Sequence, residues 1–526
     1  MKTRWLGASA AFLFALAALS AIGSSLDDPY IFSRYARNLL EHRDILWNVG
    51  DPRIEGFTSW AWLGVHAIGL KLGWHPVGFA RLAGILLGSV FAALFVSSLG
   101  RRVGVWPTLA FGLLGALAPD AWFYAASGMD TMIWTLSAWI WLVWFARRAE
   151  LAVAHVATAG LLLLVRPEAM LLLALCVTRA ALQMWTRRTS VREAAWPIVI
   201  GGWVPLALLA ARYALFGQLV ANSVAAKHLG GALWPRLVGG LSYISGTGLV
   251  YLVPASVVLA MIVAAGTRLP RLGDVLASES TRRVAAMCGF SVLTLLMVVA
   301  VGGDDRAAFP FARLLVPILG PVAYCSAVAL DSMAISFRRR RAASAILLAV
   351  FALGLLPRAW DAIRLSAAAT NMTSAGEMIA SIRARAFPAL SPSSTFFLRE
   401  TPPGESIAIP WAGRIPYETG LRVMDLNGLN DRHIASMAPL QRGTDVKYDV
   451  DYIFGSRPYF ICETVLIRVP PGEIAKMSAE QLYAAGAWKV GQRELLHDPR
   501  LASEYRLDAG ASESTEATCF RRKAAG

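Results

Sequence analysis

Two adjacent aspartates, Asp27 and Asp28, stand where an apolar run meets a polar one, in "SSLDDPYIFSRYARNLLEHRDILWNVGDPRIEGFTSW". Like charges side by side raise the pKa of one member, which can then serve as a general base or, with its neighbour, as a ligand. The structural alternative is a helix N-cap with an acidic first turn ahead of Pro29, a favourable first helical residue. One aspartate satisfies that alternative, and the second asks for another account. Further polar and ionisable residues sit beside apolar runs: Asp130 in "ASGMDT", Arg166 and Glu168 in "VRPEA", Asn222, Lys227 and His228 in "NSVAAKHL", and Asp304, Asp305, Arg306 and Arg313 in "GGDDRAAFPFARLL". These residues have no dependable metal-ligand spacing, and the chain carries no Walker or dinucleotide glycine motif.

The elements that must position these groups are membrane spans. Hydrophobic residues make up 56% of the chain and charged residues 16%, well below the roughly quarter usual in soluble domains, and the apolar residues come in long blocks. The formal net charge of +15 does not mark nucleic acid, because the arginines are short clusters between apolar runs and no basic-aromatic module is present. They set topology instead. The first run, Trp5 to Ile22, follows Lys2 and Arg4, which hold the N-terminus in the cytoplasm; "ALSAIGSS" offers a cleavable alternative, but the many later spans favour a retained first helix. Spans are expected over Pro76 to Leu99, Val103 to Leu117, Met129 to Ala146, Leu151 to Val165, Ala169 to Trp185, Ala194 to Ala211, Gly248 to Ala265, Val284 to Val301, Leu314 to Leu330 and Ala343 to Leu356. That is about eleven transmembrane helices, with Arg101, Arg147, Arg187, Arg268 and Arg338 to Arg341 marking every second connection. The acidic residues collect at the opposite connections.

Residues 1–360 form the membrane part, with a first external loop over 24–74, and residues 361–526 an exported α/β domain. In the loop, Ile31, Phe32, Tyr35, Ala36, Leu39 and Leu40 share one helical stripe, with Arg34, Arg37, Asn38 and Glu41 around it, the pattern of a helix lying flat on the membrane surface. A second loop helix is expected over Ser59 to Leu72. In the tail, "ESIAIPW", "LRVMDL" and "PYFICE" read as buried strands, and "SAGEMIASIRARAF" and "SAEQLYAAGAW" as amphipathic helices. Cys176, Cys288 and Cys325 lie in apolar runs as small hydrophobes, whereas Cys462 and Cys519 share the exported tail, where a disulfide between them is open.

Taken in order, the motifs resemble the GT-C superfamily of membrane glycosyltransferases that use polyprenyl-phosphate sugars. "LDDPYIFSRYARNLLEHRDILWNVGDPRIEGFTSWAWLG" is similar to subgroup openings of the type D-D-x-Y-I-x-x-R-Y-A-x-N-L, then N-x-G, then E-G-[YF]-[ST]. "ASGMDT", "RPEA", "NSVAAK", "GGDDRAAFPFARLLVP" and, in the tail, "GRIPYETGLRVMDLNGLNDRHIA" resemble the subgroup's later motifs. The named members resembled are the terminal and pilin arabinofuranosyltransferases of bacteria. This resemblance implies a polytopic α-helical fold of GT-C type with its site and C-terminal domain on the periplasmic side of the bacterial inner membrane. It also implies transfer of a sugar, D-arabinofuranose in the nearest subgroup, to a cell-surface glycan or an exported protein.

A donor of that kind keeps its chain in the bilayer and its phosphate at the headgroup layer, so the site needs a carboxylate above and a cation below. Asp27 and Asp28 match the family's acidic position, with Asp27 as base and Asp28 orienting it, though the two can exchange roles. Lys227, His228, Arg306 and Arg313 are the candidates for the donor phosphate. Arg34, Arg37, Glu55, Asp130, Arg166, Glu168, Asn222, Asp304 and Asp305 are candidates for the sugar or acceptor. Each has a structural alternative: Asp130 or Asn222 as a cap, His228 as a structural ring, Arg306 and Arg313 as snorkelling residues, Glu168 as a partner of Arg166, and Asp304 and Asp305 as partners of the arginines. No cofactor is required, and a divalent cation at Asp27 and Asp28 stays open. The same fold with a mannose or aminoarabinose donor is the alternative, and a transporter or flippase is disfavoured because the acids cluster at one face rather than at the midplane.

Overall fold

The computed structural model describes residues 2–23, 26–186, 188–228, 233–248, 278–304, 311–333, 337–368, 390–437, 447–463, 481, 490–515 and 517–524. Every expected span coincides with one or two helices except Gly248 to Ala265, of which residues 249–265 lie outside the described residues. Seven of the described helices are long and apolar enough to cross a bilayer, or eight if the bent pair Val105–Ala116 and Pro119–Ala126 is one span. The bend, 43°, falls at the break before Pro119, whose ring cannot continue the preceding hydrogen-bond ladder. The protein is a multi-pass membrane protein.

Between helices in lipid there is no apolar driving force to exploit, so close approach must do the work. The helix Lys2–Ser20 lies along Pro76–Gly100, where a side-chain carbon on Gly88 would stand 2.3 Å from the ring of Phe14. Only glycine admits that ring. At one end of the bundle the basic connections gather, as the charge alternation requires. Arg282 donates to the carbonyls of Ala146 and Arg147 at 3.0 and 3.2 Å. Arg102 reaches Ser280 at 3.2 Å, and Arg341 covers the ring of Trp106 at 4.6 Å.

The opposite end carries the loop and the C-terminal domain. Of the loop helices, Asp28–His42 and Trp60–Lys71, the first was expected on the membrane surface with its polar face in water, and the structure differs. Its apolar stripe, Ile31, Phe32, Tyr35 and Ala36, packs with Trp47, Phe57, Trp62 and Leu63. Its polar face is covered as well at Arg34 and Asn38, with Arg34 only 2% exposed, because the C-terminal domain supplies carbonyls to satisfy the guanidinium.

That domain is a five-stranded sheet in the order β2-β1-β3-β5-β4, with β1 Ser406–Ile409, β2 Arg422–Asp425, β3 Phe460–Glu463, β4 Tyr505–Leu507 and β5 Thr518–Arg522. The three strands read from the sequence are the parallel part, β1 and β3 buried as their apolar runs demand and the edge strand β2 buried on one face. The antiparallel pair β4 and β5 completes the sheet, and Cys462 of β3 is disulfide-bonded to Cys519, its register partner on β5. The expected helices in "SAGEMIASIRARAF" and "SAEQLYAAGAW" fall on residues outside the description, apart from Gln481. The last span continues unbroken past residue 361 as the helix Phe337–Ala368.

Candidate active site

Asp27 occupies the N-cap position of Asp28–His42, yet its side chain does not cap that helix. Its two carboxylate oxygens accept instead from the backbone N–H groups of Gly413 and Arg414, at 2.7 and 2.8 Å. Gly413 is required there, because an added side-chain carbon would lie 1.9 Å from the Asp27 carbonyl oxygen. Burial raises the Asp27 pKa to about 6; the neighbouring Asp28 charge adds to the rise, and the two N–H donors oppose it. The fold thus holds Asp27 as a tie between the first loop and the C-terminal domain.

The charge of Asp28, one residue on, lies within electrostatic reach of both Arg313 and Asp27. Arg313 pairs with Asp304 at 2.7 Å, and Arg166 and Glu168 lie within its electrostatic reach. Asp130, 1% exposed, stands at the N-cap position of Thr131–Arg147 without a side-chain cap bond, so the capping alternative does not hold for it. Both its oxygens take one Arg166 nitrogen, at 2.9 and 2.8 Å. The remaining edge of the Arg166 fork goes to Glu168, at 3.0 and 2.5 Å. This fork-to-carboxylate geometry is the strong form of ion pair, and it fixes the "SGMDT" and "RPEA" connections against each other. Beside it a cleft is lined by Thr131, Arg166, Glu168 and Arg313 and by the apolar surfaces of Trp134, Leu171, Met297, Leu314 and Pro317.

Other candidates sit elsewhere. Arg34 donates to the carbonyls of Trp47 and Leu421 at 2.7 and 2.8 Å, to that of Pro416, and to the side-chain oxygen of Asn48 at 2.8 Å, while Arg37 donates to the Tyr417 carbonyl at 2.7 Å. Both tie the loop helix to the C-terminal domain. Asn222 does the same, its amide donating to the carbonyls of Gly428 and Leu429 at 2.8 and 3.0 Å. Glu55 is paired with Arg212 at 2.8 Å and accepts from the Trp60 indole at 2.9 Å; burial raises its pKa against the opposing pull of Arg212. Lys227 lies on the helix Asn222–His228, which packs on the tail helix Arg432–Ser436. The side chain of His228, with Asp305 and Arg306, lies outside the described residues. Among the described residues no group of three His, Cys, Asp or Glu converges on a metal position. A cation at Asp27 and Asp28 would compete with two N–H donors for the Asp27 oxygens. Sequence reading missed Gly413, Arg414 and Arg212, since no local signal joins residues so far apart in the chain.

The pKa of Asp27 makes a stability prediction with a definite sign. A carboxyl whose folded pKa is raised binds its proton more tightly in the folded state, so its contribution is most favourable below the ordinary carboxylate range and is lost as pH rises to about 6. Asp27→Asn, always neutral, lacks this dependence. The wild-type minus variant difference in stability should fall by on the order of 2 kcal/mol between pH 4 and pH 6.5, then stay level, at about 1.4 kcal/mol per pKa unit. Thermal midpoints in detergent across that range check it, and a constant difference would show that Asp27 titrates normally.

A family model described as "Domain of unknown function (DUF8728)" matches residues 382–508. The chain is 29% identical over 335 residues, 56% of its length, to the terminal beta-(1->2)-arabinofuranosyltransferase of Mycobacterium tuberculosis (strain ATCC 25618 / H37Rv), and spans about half (51%) of that curated relative's length. The crystal structure of ArnT from Cupriavidus metallidurans bound to undecaprenyl phosphate superposes with a TM-score of 0.51 at 12% identity, covering 88% of this chain and 96% of ArnT. The bundle with the C-terminal domain at one end has the fold of the ArnT structure, and the chain is similar in sequence to the arabinofuranosyltransferase.

Proposed function

We propose that the chain transfers a sugar, D-arabinofuranose, from a polyprenyl-phosphate donor to a glycan or exported protein at the periplasmic face of a bacterial inner membrane. The observation that carries this reading is Asp28 within electrostatic reach of Arg313 beside a cleft that is apolar on its far walls. In the transfer step Asp28 takes the proton of the acceptor hydroxyl as that oxygen attacks the anomeric carbon. The anomeric carbon–oxygen bond to phosphate breaks, and Arg313 receives the charge of the departing phosphate in place of its contact with Asp304. Arg166, locked by Asp130 and Glu168, forms the fixed wall of the cleft. The reading of Asp27 as base with Asp28 orienting it is exchanged here for the reverse, because both Asp27 oxygens already accept backbone N–H bonds.

The sugar is supported by the arabinofuranosyltransferase relative. A second reading, a 4-amino sugar such as aminoarabinose, is favoured by one observation: among the described residues here Asp28, Asp130, Glu168 and Asp304 outnumber Arg166 and Arg313, and an ammonium would meet that excess. Incubating the purified chain in turn with polyprenyl-phosphate arabinose, mannose and aminoarabinose decides between them. Arabinose turnover at least about tenfold above the others is expected, the discrimination a few contacts supply. A deletion strain should lack one pentose on a surface glycan or pilin by mass analysis. Aminoarabinose turnover alone would overturn the arabinose assignment.

Orientation is tested separately. An impermeant maleimide should label Ser503→Cys from outside intact cells with permeabilised outer membranes, and Arg338→Cys only after the inner membrane is opened, since arginine clusters stay cytoplasmic. Labelling of both from one side would remove the periplasmic placement of the site.

A further inference from the structure

The backbone that carries Arg313 is held on both sides by side chains from helices the transfer reading does not use. Tyr124 donates its hydroxyl to the Phe311 carbonyl at 2.9 Å. Ala312 N–H donates to the Asp120 carboxylate at 2.6 Å, and Leu314 N–H donates to the Tyr243 hydroxyl at 3.3 Å. The Arg313 N–H itself turns back to the Phe311 carbonyl at 2.9 Å, closing the turn. Asp120 and Tyr124 come from Pro119–Ala126, the arm beyond the 43° bend, so the bend brings that arm against the turn. Asp120 is fully buried, and Arg358 of Phe337–Ala368 donates to both its oxygens, at 3.0 and 2.6 Å.

A buried ion pair is a poor way to glue helices, because apolar residues of similar volume hold a bundle as well or better. What an apolar pair cannot do is accept the Ala312 N–H and set the turn that aims the next residue. We propose that Asp120, Tyr124 and Tyr243 are positioning residues for Arg313, with Arg358 neutralising Asp120. They hold the guanidinium ready for a lipid phosphate, so that no loop reorganisation accompanies binding or transfer. This rests on the reading of Arg313 as the phosphate contact.

The test uses the full-length protein in detergent and undecaprenyl phosphate as the probe, so that the identity of the sugar does not enter. Tyr124→Phe and Tyr243→Phe each delete one hydrogen bond and should weaken binding about three- to tenfold, the range for a single neutral bond. Asp120→Asn should weaken it further, and thermal midpoints identify any variant that is merely misfolded. The deciding measurement is the double substitution. If the tyrosines act through Arg313, adding Tyr124→Phe or Tyr243→Phe to Arg313→Ala weakens binding no further. Additive losses, or tyrosine variants that bind as wild type while Arg313→Ala does not, overturn the positioning role alone. Unchanged binding in Arg313→Ala itself overturns both this role and the phosphate reading beneath it.

Discussion

Asp28→Asn is expected to express and insert normally and to lose sugar transfer by about 10²- to 10⁴-fold, the range for removing a general base. The substitution keeps size and hydrogen-bonding capacity, and an asparagine starts a helix as well as an aspartate does. What it removes is the charge within electrostatic reach of Arg313 that, on the proposed mechanism, takes the acceptor proton. Asp27→Asn separates the two roles. Its oxygen can still accept one of the two N–H bonds from Gly413 and Arg414, so the loss should stay within about tenfold, as expected for one weakened hydrogen bond, and should accompany the altered pH dependence of stability. Initial rates with saturating donor, alongside thermal midpoints, distinguish the variants. An Asp28→Asn enzyme with wild-type rate would sink the proposed mechanism, and a dead but stable Asp27→Asn enzyme would restore Asp27 as base.

Arg313→Ala should lower kcat/KM for the lipid donor by about 10²- to 10³-fold, roughly 3–4 kcal/mol of transition-state stabilisation, while the KM for acceptor changes little. The reason is its place: it lines the cleft and is held by Asp304 at 2.7 Å, so its removal takes away the charge meeting the phosphate and leaves Asp304 buried without that partner. Arg313→Lys keeps a point charge but not the planar fork, and should recover only part of the loss. Equal effects on donor and acceptor would favour a role in the bundle's stability alone. Double substitution of Arg313 and Asp304 to alanine and asparagine should fold better than Arg313→Ala yet transfer no faster, because the buried carboxylate is relieved while the phosphate contact stays lost.

Spans, their order and the shared end of the arginines are legible in the residues because each is written locally, as apolar length and flanking charge. Arg102, Arg282 and Arg341 gather at one end as that rule demands. The strands at Ser406, Arg422 and Phe460 were equally plain, the first and last short buried apolar runs and the edge strand at Arg422 buried on one face. Strands β4 and β5 were not, since "YRL" and "TCFRR" carry charges that only their antiparallel, partly covered places accommodate. The Arg166 partnership with Glu168 was open to reading, two residues apart, whereas its bond to Asp130 joins two connections and leaves no periodic mark in either.

The difference between the surroundings of Asp27 and of Asp28 belongs wholly to the tertiary structure. Adjacent residues of one type look alike in sequence, and what separates them is the fold, which lays the 413–414 backbone against one carboxylate and leaves the charge of the other within electrostatic reach of Arg313. Arg34 makes the same point: an arginine on the polar stripe of an amphipathic helix looks solvent-bound, and it is buried because carbonyls of Pro416 and Leu421, from the far end of the chain, take the place of water. Apolar burial and charge alternation act through the composition of a segment and so can be read along it. A hydrogen bond is decided by direction and by a partner within about 3 Å, which only the folded chain supplies.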